Sequence, residues 1–144
     1  MKFFKYATEE SDAINLSTDY KILCYVDSTG CVHCKWKLID WNQFMKYSDS
    51  ISNHNVSFLF VVNNSDRKKL RNLLREEMFD YPIYLDTADI VNKMNKFPKN
   101  EQLRTFLLDR DNKVVLLGNP VLSKSIESLY IKTILSGRTQ QSKK

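Results

Sequence analysis

Val56-Ser57-Phe58-Leu59-Phe60-Val61-Val62 is a seven-residue run with no charged side chain, dominated by β-branched and aromatic residues. A strand with one face in water alternates apolar and polar positions, whereas a continuous run suits a central parallel strand covered on both faces. Around it, strand-like runs alternate with helical patterns. Lys21 to Asp27 reads as the preceding strand, and Cys34 to about Tyr47 as a helix with Cys34, Leu38, Trp41 and Met45 on one face. After the turn Asn63 to Asp66, Leu70, Leu73, Leu74 and Met78 recur at helical spacing up to about Phe79, with Asp66 as N-cap. Tyr81 to Asp86 reads as a short strand, followed by a short helix from Ala88 to Met94 capped by Asp86 or Thr87. Thr105 to Asp109 and Lys113 to Leu117 flank Arg110-Asp111-Asn112 as a β-hairpin that Gly118-Asn119-Pro120 ends. A last helix from about Ser123 to Leu135 turns Ile126, Leu129, Tyr130 and Ile134 inward. The pattern is that of an α/β chain with a central, mostly parallel sheet, a C-terminal β-hairpin and helices on both faces.

With 144 residues, 42% of them hydrophobic, the chain suffices for one compact domain. Residues 1–19 read as a polar N-terminal extension, 20–137 as the domain and 138–144 as a disordered basic tail. No stretch approaches the roughly 18 uninterrupted apolar residues of a membrane span, and residues 1–10 lack the apolar run of a signal peptide, so a soluble chain without stable membrane insertion is expected. The net charge of +5 owes much to Arg67, Lys68, Lys69, Arg71 and Arg75. These cations fall opposite the leucines of their helix and read as a solvated face, so no nucleic-acid partner is expected.

The chemistry concentrates at Cys31-Val32-His33-Cys34, between the first strand and the helix that follows it. Two cysteines at this spacing form a reversible dithiol, and a helix N-terminus favours the thiolate of the first. Cys31 then attacks and Cys34 resolves. His33 adds a hydrogen bond or a positive charge toward Cys31, which stabilises the thiolate and makes the couple more oxidising. Three cysteines exclude a disulfide scaffold, and Cys24, inside an apolar strand, reads as a buried small hydrophobe. Cys31, Cys34 and His33 or His54 also resemble a soft-metal ligand set, but a structural zinc site would need a second ligand pair, so no metal or other cofactor is expected. Copper delivery is a minority alternative.

The strand, CxxC, helix, strand, helix, hairpin, helix order resembles the thioredoxin-like fold. Tyr81-Pro82-Ile83-Tyr84-Leu85-Asp86 and Thr105-Phe106-Leu107-Leu108-Asp109-Arg110-Asp111-Asn112-Lys113-Val114-Val115 resemble the corresponding segments of TlpA/ResA-like thiol-disulfide oxidoreductases and of the related AhpC/TSA peroxiredoxins. Ser28-Thr29-Gly30-Cys31 and Gly118-Asn119-Pro120 are also similar to segments of Bacteroidetes envelope thioredoxin-like proteins. The resemblance implies thiol-disulfide exchange with protein thiols or disulfides and a redox partner protein, in the bacterial periplasm or cell envelope; a cytoplasmic location is the alternative. It also implies Cys31, Cys34 and His33 as catalytic residues, with Gly30, Val32, Arg104 and Thr105 contacting substrate from around the pair.

Against the family pattern, Gly30 replaces the usual Trp before the first cysteine, and Tyr25 stands where thioredoxins carry a buried carboxylate. Leu103-Arg104 replaces the usual cis-proline, which leaves a trans bond as the expected conformation. Leu103-Arg104-Thr105-Phe106 and Ser28-Thr29-Gly30-Cys31 also resemble peroxiredoxin segments, so a peroxidase with peroxidatic Cys31 is one alternative. A non-catalytic thioredoxin-like binding domain is the other.

Overall fold

The structure is a computed structural model that describes residues 3–5, 8–10, 18–26, 37–53, 55–63, 67–79, 81–86, 89–97, 99 and 103–142. Its strands are β1 (Phe3–Lys5), β2 (Thr8–Glu10), β3 (Tyr20–Val26), β4 (Val56–Val62), β5 (Ile83–Leu85), β6 (Thr105–Leu108) and β7 (Val114–Leu117). Its helices are α1 (Leu38–Ser52), α2 (Arg67–Glu76), α3 (Ile90–Asn95) and α4 (Lys124–Ser142). One sheet runs in the order β2-β1-β5-β4-β3-β6-β7.

The charge-free run becomes β4, at the middle of that sheet, and only Leu59 within it is less than fully buried. β3 pairs with β4 in parallel over seven residues, from Tyr20 opposite Val56 to Val26 opposite Val62, and β4 pairs with β5 in parallel. The other ladders are antiparallel. The sheet is therefore parallel at its centre and mixed as a whole. Hairpins supply the difference: β6–β7, which the sequence announces, and β1–β2, which it does not. Three-residue strands are too short to carry a period, so residues read as a polar extension join the sheet beside β5.

Alternation along β3 and β4 assigns the two faces. Ile22, Cys24, Val26, Val56, Phe58, Phe60 and Val62 share one core with Leu38, Trp41 and Phe44 of α1, Leu70 and Leu74 of α2, and Tyr130 and Ile134 of α4. Trp41 is fully buried and stands edge-on to Phe60 at 5.2 Å, Phe44 at 5.8 Å and Phe58 at 6.5 Å. Edge-to-face pairs of this kind add about 0.5–1.5 kcal/mol each beyond burial. On α2, Lys68, Lys69 and Arg75 are exposed while Leu70 and Leu74 are buried, as the spacing predicts; Arg71 is half-buried, and Met78, expected with the leucines, lies past the helix end and is exposed. On the opposite face of the sheet, Tyr25 meets Phe97, and Phe97 stacks on Phe106.

Helix boundaries differ from the sequence reading in α1 and α4. The helix expected from Cys34 starts at Leu38 among the described residues, because Lys37 is left-handed (φ 55°, ψ 57°) with no side-chain cap. It also continues past Tyr47: Ser48 returns its hydroxyl to the Phe44 carbonyl at 2.7 Å, which satisfies a polar group inside the core. Left-handed Asn53 ends it. The last helix, expected to end near Leu135, runs to Ser142 through the stretch read as a disordered tail. No proline interrupts it, and a single Gly137 costs a helix only about 1 kcal/mol.

At the N-terminal end of β3, the Asp19 carboxylate accepts a hydrogen bond from the Asn55 amide, the Asp19 N–H donates to Asn55 Oδ1, and the carboxylate forms an ion pair with Arg110. Burial pushes the Asp19 carboxyl up, but the hydrogen bonds from Asn55 and Arg110 and the Arg110 charge outweigh it and hold the group below its ordinary 3.8. A carboxyl lowered in the folded state stabilises the fold above its unfolded value, and the contribution fades as pH falls through the folded value. Denaturant midpoints of native chain and Asp19→Asn should therefore differ by about 1 kcal/mol at neutral pH and converge in acid, the exposed Arg110 end keeping the effect small. Trp41→Ala should cost about 3–5 kcal/mol by the same measurement. Trp41→Phe should cost less, since the buried indole N–H has no hydrogen-bond partner among the described residues.

Candidate functional site

The parallel strands β3, β4 and β5 all end at one edge of the sheet. In such sheets the edge beyond the strand C-termini is where crossovers leave room for a site. Because β3 and β4 are parallel, α1 must run back across the sheet, which puts its start, Lys37 and Leu38, at this edge. The stretch joining Val26 to Lys37 carries the dithiol. Gly30, Cys31, Val32, His33 and Cys34 lie outside the described residues, as does His54; Arg104 and Thr105 are described.

Arg104 stands at this edge, just before β6, which runs antiparallel to β3. Its carbonyl accepts the Tyr25 N–H at 3.0 Å. Its guanidinium donates to the Lys99 carbonyl at 3.1 Å and lies 5.6 Å from the Tyr25 ring centroid, a cation–π distance. The result is a cation held over an aromatic ring beside the end of β3. The Leu103–Arg104 segment contains no cis bond, and none occurs among the described residues.

Thr105 faces the other way. Its side chain is 1% exposed and its hydroxyl lies 3.6 Å from the Cys24 sulfur. The sequence reading sets Arg104 and Thr105 side by side toward substrate; the two-residue period of a strand puts their side chains on opposite faces of the sheet. Only Arg104 keeps a side chain at the edge. The Thr105 carbonyl is engaged as well, accepting from Gly118 N–H at 3.0 Å and from the Tyr130 hydroxyl at 3.4 Å. Tyr130 also donates to the Gly118 carbonyl at 2.6 Å. Gly118 has φ 129°, and a Cβ there would press on Ile126, so glycine is required where the hairpin turns toward α4.

Cys24 is the buried cysteine that the sequence reading expects. Burial pushes its thiol up to about 12, against the weaker opposing pull of the Thr105 hydroxyl. Burial likewise raises the Tyr130 phenol, with the neighbouring Cys24 adding to the effect. Such a thiol is inert at neutral pH.

The edge also contains a cluster that the motifs do not name. Tyr25 donates its hydroxyl hydrogen to Asp89 Oδ1 at 2.5 Å, and Asn92 donates to Asp89 Oδ2 at 2.9 Å. Asp89 is left-handed (φ 55°) directly before α3. The N-cap position of α3 is Asp89, not Asp86 or Thr87 as expected, but the Asp86 carboxylate, at the end of β5, still accepts the Val91 N–H in the first turn at 2.7 Å. The signal in the sequence was Tyr25 itself, an aromatic where a carboxylate is usual; its partner, 64 residues away, carried none. Among the described residues, no group of three or more His, Cys, Asp or Glu side chains is placed to hold a metal ion.

No family model matches the chain, and no curated protein sequence does. Solved structures do resemble it. A Chlorobium tepidum protein assigned as thiol:disulfide interchange protein DsbE has a TM-score of 0.66 at 14% identity, covering 93% of this chain and 92% of that one. A secreted Mycobacterium tuberculosis disulfide oxidoreductase homologous to E. coli DsbE gives 0.60 at 14% identity, covering 98% and 95%. Peroxidoxin BcpB from Mycobacterium tuberculosis gives 0.61 at 17% identity, covering 95% and 92%.

The chemistry at Cys24 has a direct test. Native protein treated with a thiol-alkylating reagent at pH 8 should remain unmodified at Cys24 by mass spectrometry, and should become modified there only after denaturant is added. The order of elements, the central parallel strands, the closing hairpin and the structural neighbours agree: the chain has the thioredoxin-like fold, and thiol-disulfide oxidoreductases of the DsbE type are among its structural neighbours.

Proposed function

We propose that the protein is a thiol-disulfide oxidoreductase whose redox pair is Cys31 and Cys34. The observation that carries this reading is the location of Cys31-Val32-His33-Cys34 in the chain, between β3 and α1 of a thioredoxin-like fold. The Cys31 thiolate attacks a substrate disulfide and releases one substrate thiolate. Cys34 then attacks the mixed disulfide, releases the second thiolate and leaves the Cys31–Cys34 disulfide; oxidation of a substrate dithiol is the reverse. His33 stabilises the Cys31 thiolate. In this reading Gly30 precedes the pair, Val32 lies between its cysteines, and Arg104 contacts substrate from the β6 side. Thr105 supports that side from within the core rather than by a side-chain contact with substrate.

The partners in this reading are protein thiols or disulfides and a redox protein that resets the pair, and the compartment is the bacterial envelope. The secreted DsbE homologue among the structural neighbours supports that compartment. No helix among the described residues is long and apolar enough to cross a membrane. A peroxidase reading, with peroxidatic Cys31, draws on one specific observation: Arg104 is held at this edge over Tyr25, in a fold that peroxidoxin BcpB shares.

Insulin reduction or peptide oxidation by the native chain should be lost in Cys31→Ala; equal activity in the two would overturn the oxidoreductase reading. Cys34→Ser should accumulate a mixed disulfide with the natural partner. A redox titration should place the pair above thioredoxin's potential of about −270 mV, and a value at or below that would remove the proposed role of His33. Peroxide consumption lost with Cys31→Ala, in the absence of disulfide exchange, would favour the peroxidase.

A further inference from the structure

Charge is spread unevenly over the molecule. At the edge where β3, β4 and β5 end, Lys37 before α1 and Lys68 in the first turn of α2 are exposed on one side of the sheet. On the other side Lys93, Lys96 and Lys99 are exposed. Their neighbours hold these three near the edge. Asp89, which opens α3, is bonded to the Tyr25 hydroxyl; Phe97, next to Lys96, meets the Tyr25 ring at 4.8 Å; and the Lys99 carbonyl accepts from Arg104. Of the described carboxylates at this edge, only Asp40 is exposed. Asp89 is half-buried and bonded to Tyr25 and Asn92, and Asp86 is buried and bonded to the Val91 N–H. By sequence, the stretches that join these elements add Asp27, Asp66 and Glu101 against Lys35 and Arg67, which leaves the positive excess in place. At the opposite end, around the hairpin turn, Asp19, Asp109 and Asp111 balance Lys21, Arg110 and Lys113.

An exposed charge acts over about 8 Å at physiological ionic strength, so several like charges around one edge add to a field that a partner meets before contact. Lysine suits that role. Its ammonium is a compact, hydrated charge on a flexible stem, which attracts anions without the rigid fork by which arginine docks carboxylate or phosphate. Nucleic-acid bases would in addition stack on exposed aromatic rings. Tyr47, the one exposed aromatic ring among the described residues, lies in the far half of α1, away from the edge. Resting on the oxidoreductase reading, we propose that the lysine-rimmed edge selects acidic protein partners, whose reacting disulfide or thiols are flanked by aspartate and glutamate. The field speeds encounter with such partners and slows encounter with basic ones. It leaves the exchange chemistry itself unchanged.

The test uses peptides of equal length, each with one internal disulfide flanked by glutamates, by lysines or by serines. Reduced native chain is mixed with each, and the second-order rate of disulfide reduction is read at neutral pH. Salt is set at about 0.01 M and about 1 M, where the screening length is about 30 Å and about 3 Å. At low salt the acidic peptide should react about tenfold or more faster than the basic one, and the two rates should converge at high salt. Lys68→Glu combined with Lys96→Glu, exposed positions on the two sides of the edge, should remove most of that ratio. Lys46→Glu combined with Lys113→Glu makes the same change in net charge at exposed positions away from the edge and should retain it. Equal rates for acidic and basic peptides at low salt, or an equal loss of the ratio in both double variants, would overturn the selective edge and leave the oxidoreductase reading standing. Retention of the native chain on duplex DNA at about 0.15 M salt, with no preference among the peptides, would assign the lysines to nucleic acid instead. No reaction with any of the peptides would overturn both readings.

Discussion

The parallel ladder between β3 and β4 is the constraint on which the rest of the molecule depends. Seven consecutive pairs hold two strands buried along almost their whole length, and neither face of this ladder can be left in water. Trp41, Phe44 and Tyr130 cover one face through edge-on aromatic contacts; Phe97 covers part of the other. Because the strands run the same way, the connecting helix must return across the sheet, and the turn into that helix falls at the C-terminal edge. The stretch of chain that leaves β3 at this edge carries Cys31 and Cys34 in its sequence.

The same edge receives chain from two other strands. β5 ends there and leads through Asp86 to Asp89; β6 begins there with Arg104 beside Tyr25. The alternation of strand side chains then sorts these arrivals. Tyr25, Arg104 and Phe106 lie on the face shared with Phe97, whereas Cys24 and Thr105 turn into the helical core. Adjacent residues thus do unlike work: Cys24 and Thr105 are an inert buried pair, while Tyr25 and Arg104 border the proposed reaction site.

Much of the architecture was legible where a segment's own pattern and its tertiary setting agree. β4 is a charge-free, largely apolar run, α2 carries Leu70 and Leu74 as an inward stripe, and the hairpin turn is written in Asp109, whose carboxylate accepts the N–H groups of Asp111 and Lys113 at 2.9 Å each. The misses occur where the pattern is too short or the signal is local backbone geometry. β1 and β2 have three residues each, and a left-handed lysine at position 37 has no compositional signature. Arg104 and Thr105 were paired by resemblance to known segments, and their separation onto opposite faces of the sheet came only with the strand register.

The sequence by itself determined the class of fold and the dithiol spacing, because both rest on contacts between near neighbours: strand alternation, helical period and two cysteines at Cys31 and Cys34. Tertiary structure decided what stands around that motif. The hydroxyl of Tyr25 meets Asp89 across 64 residues, and Thr105 meets Cys24 across 81. Such partners are selected by ladder register and by which face of the sheet each strand turns inward, and no local run of residues encodes either one.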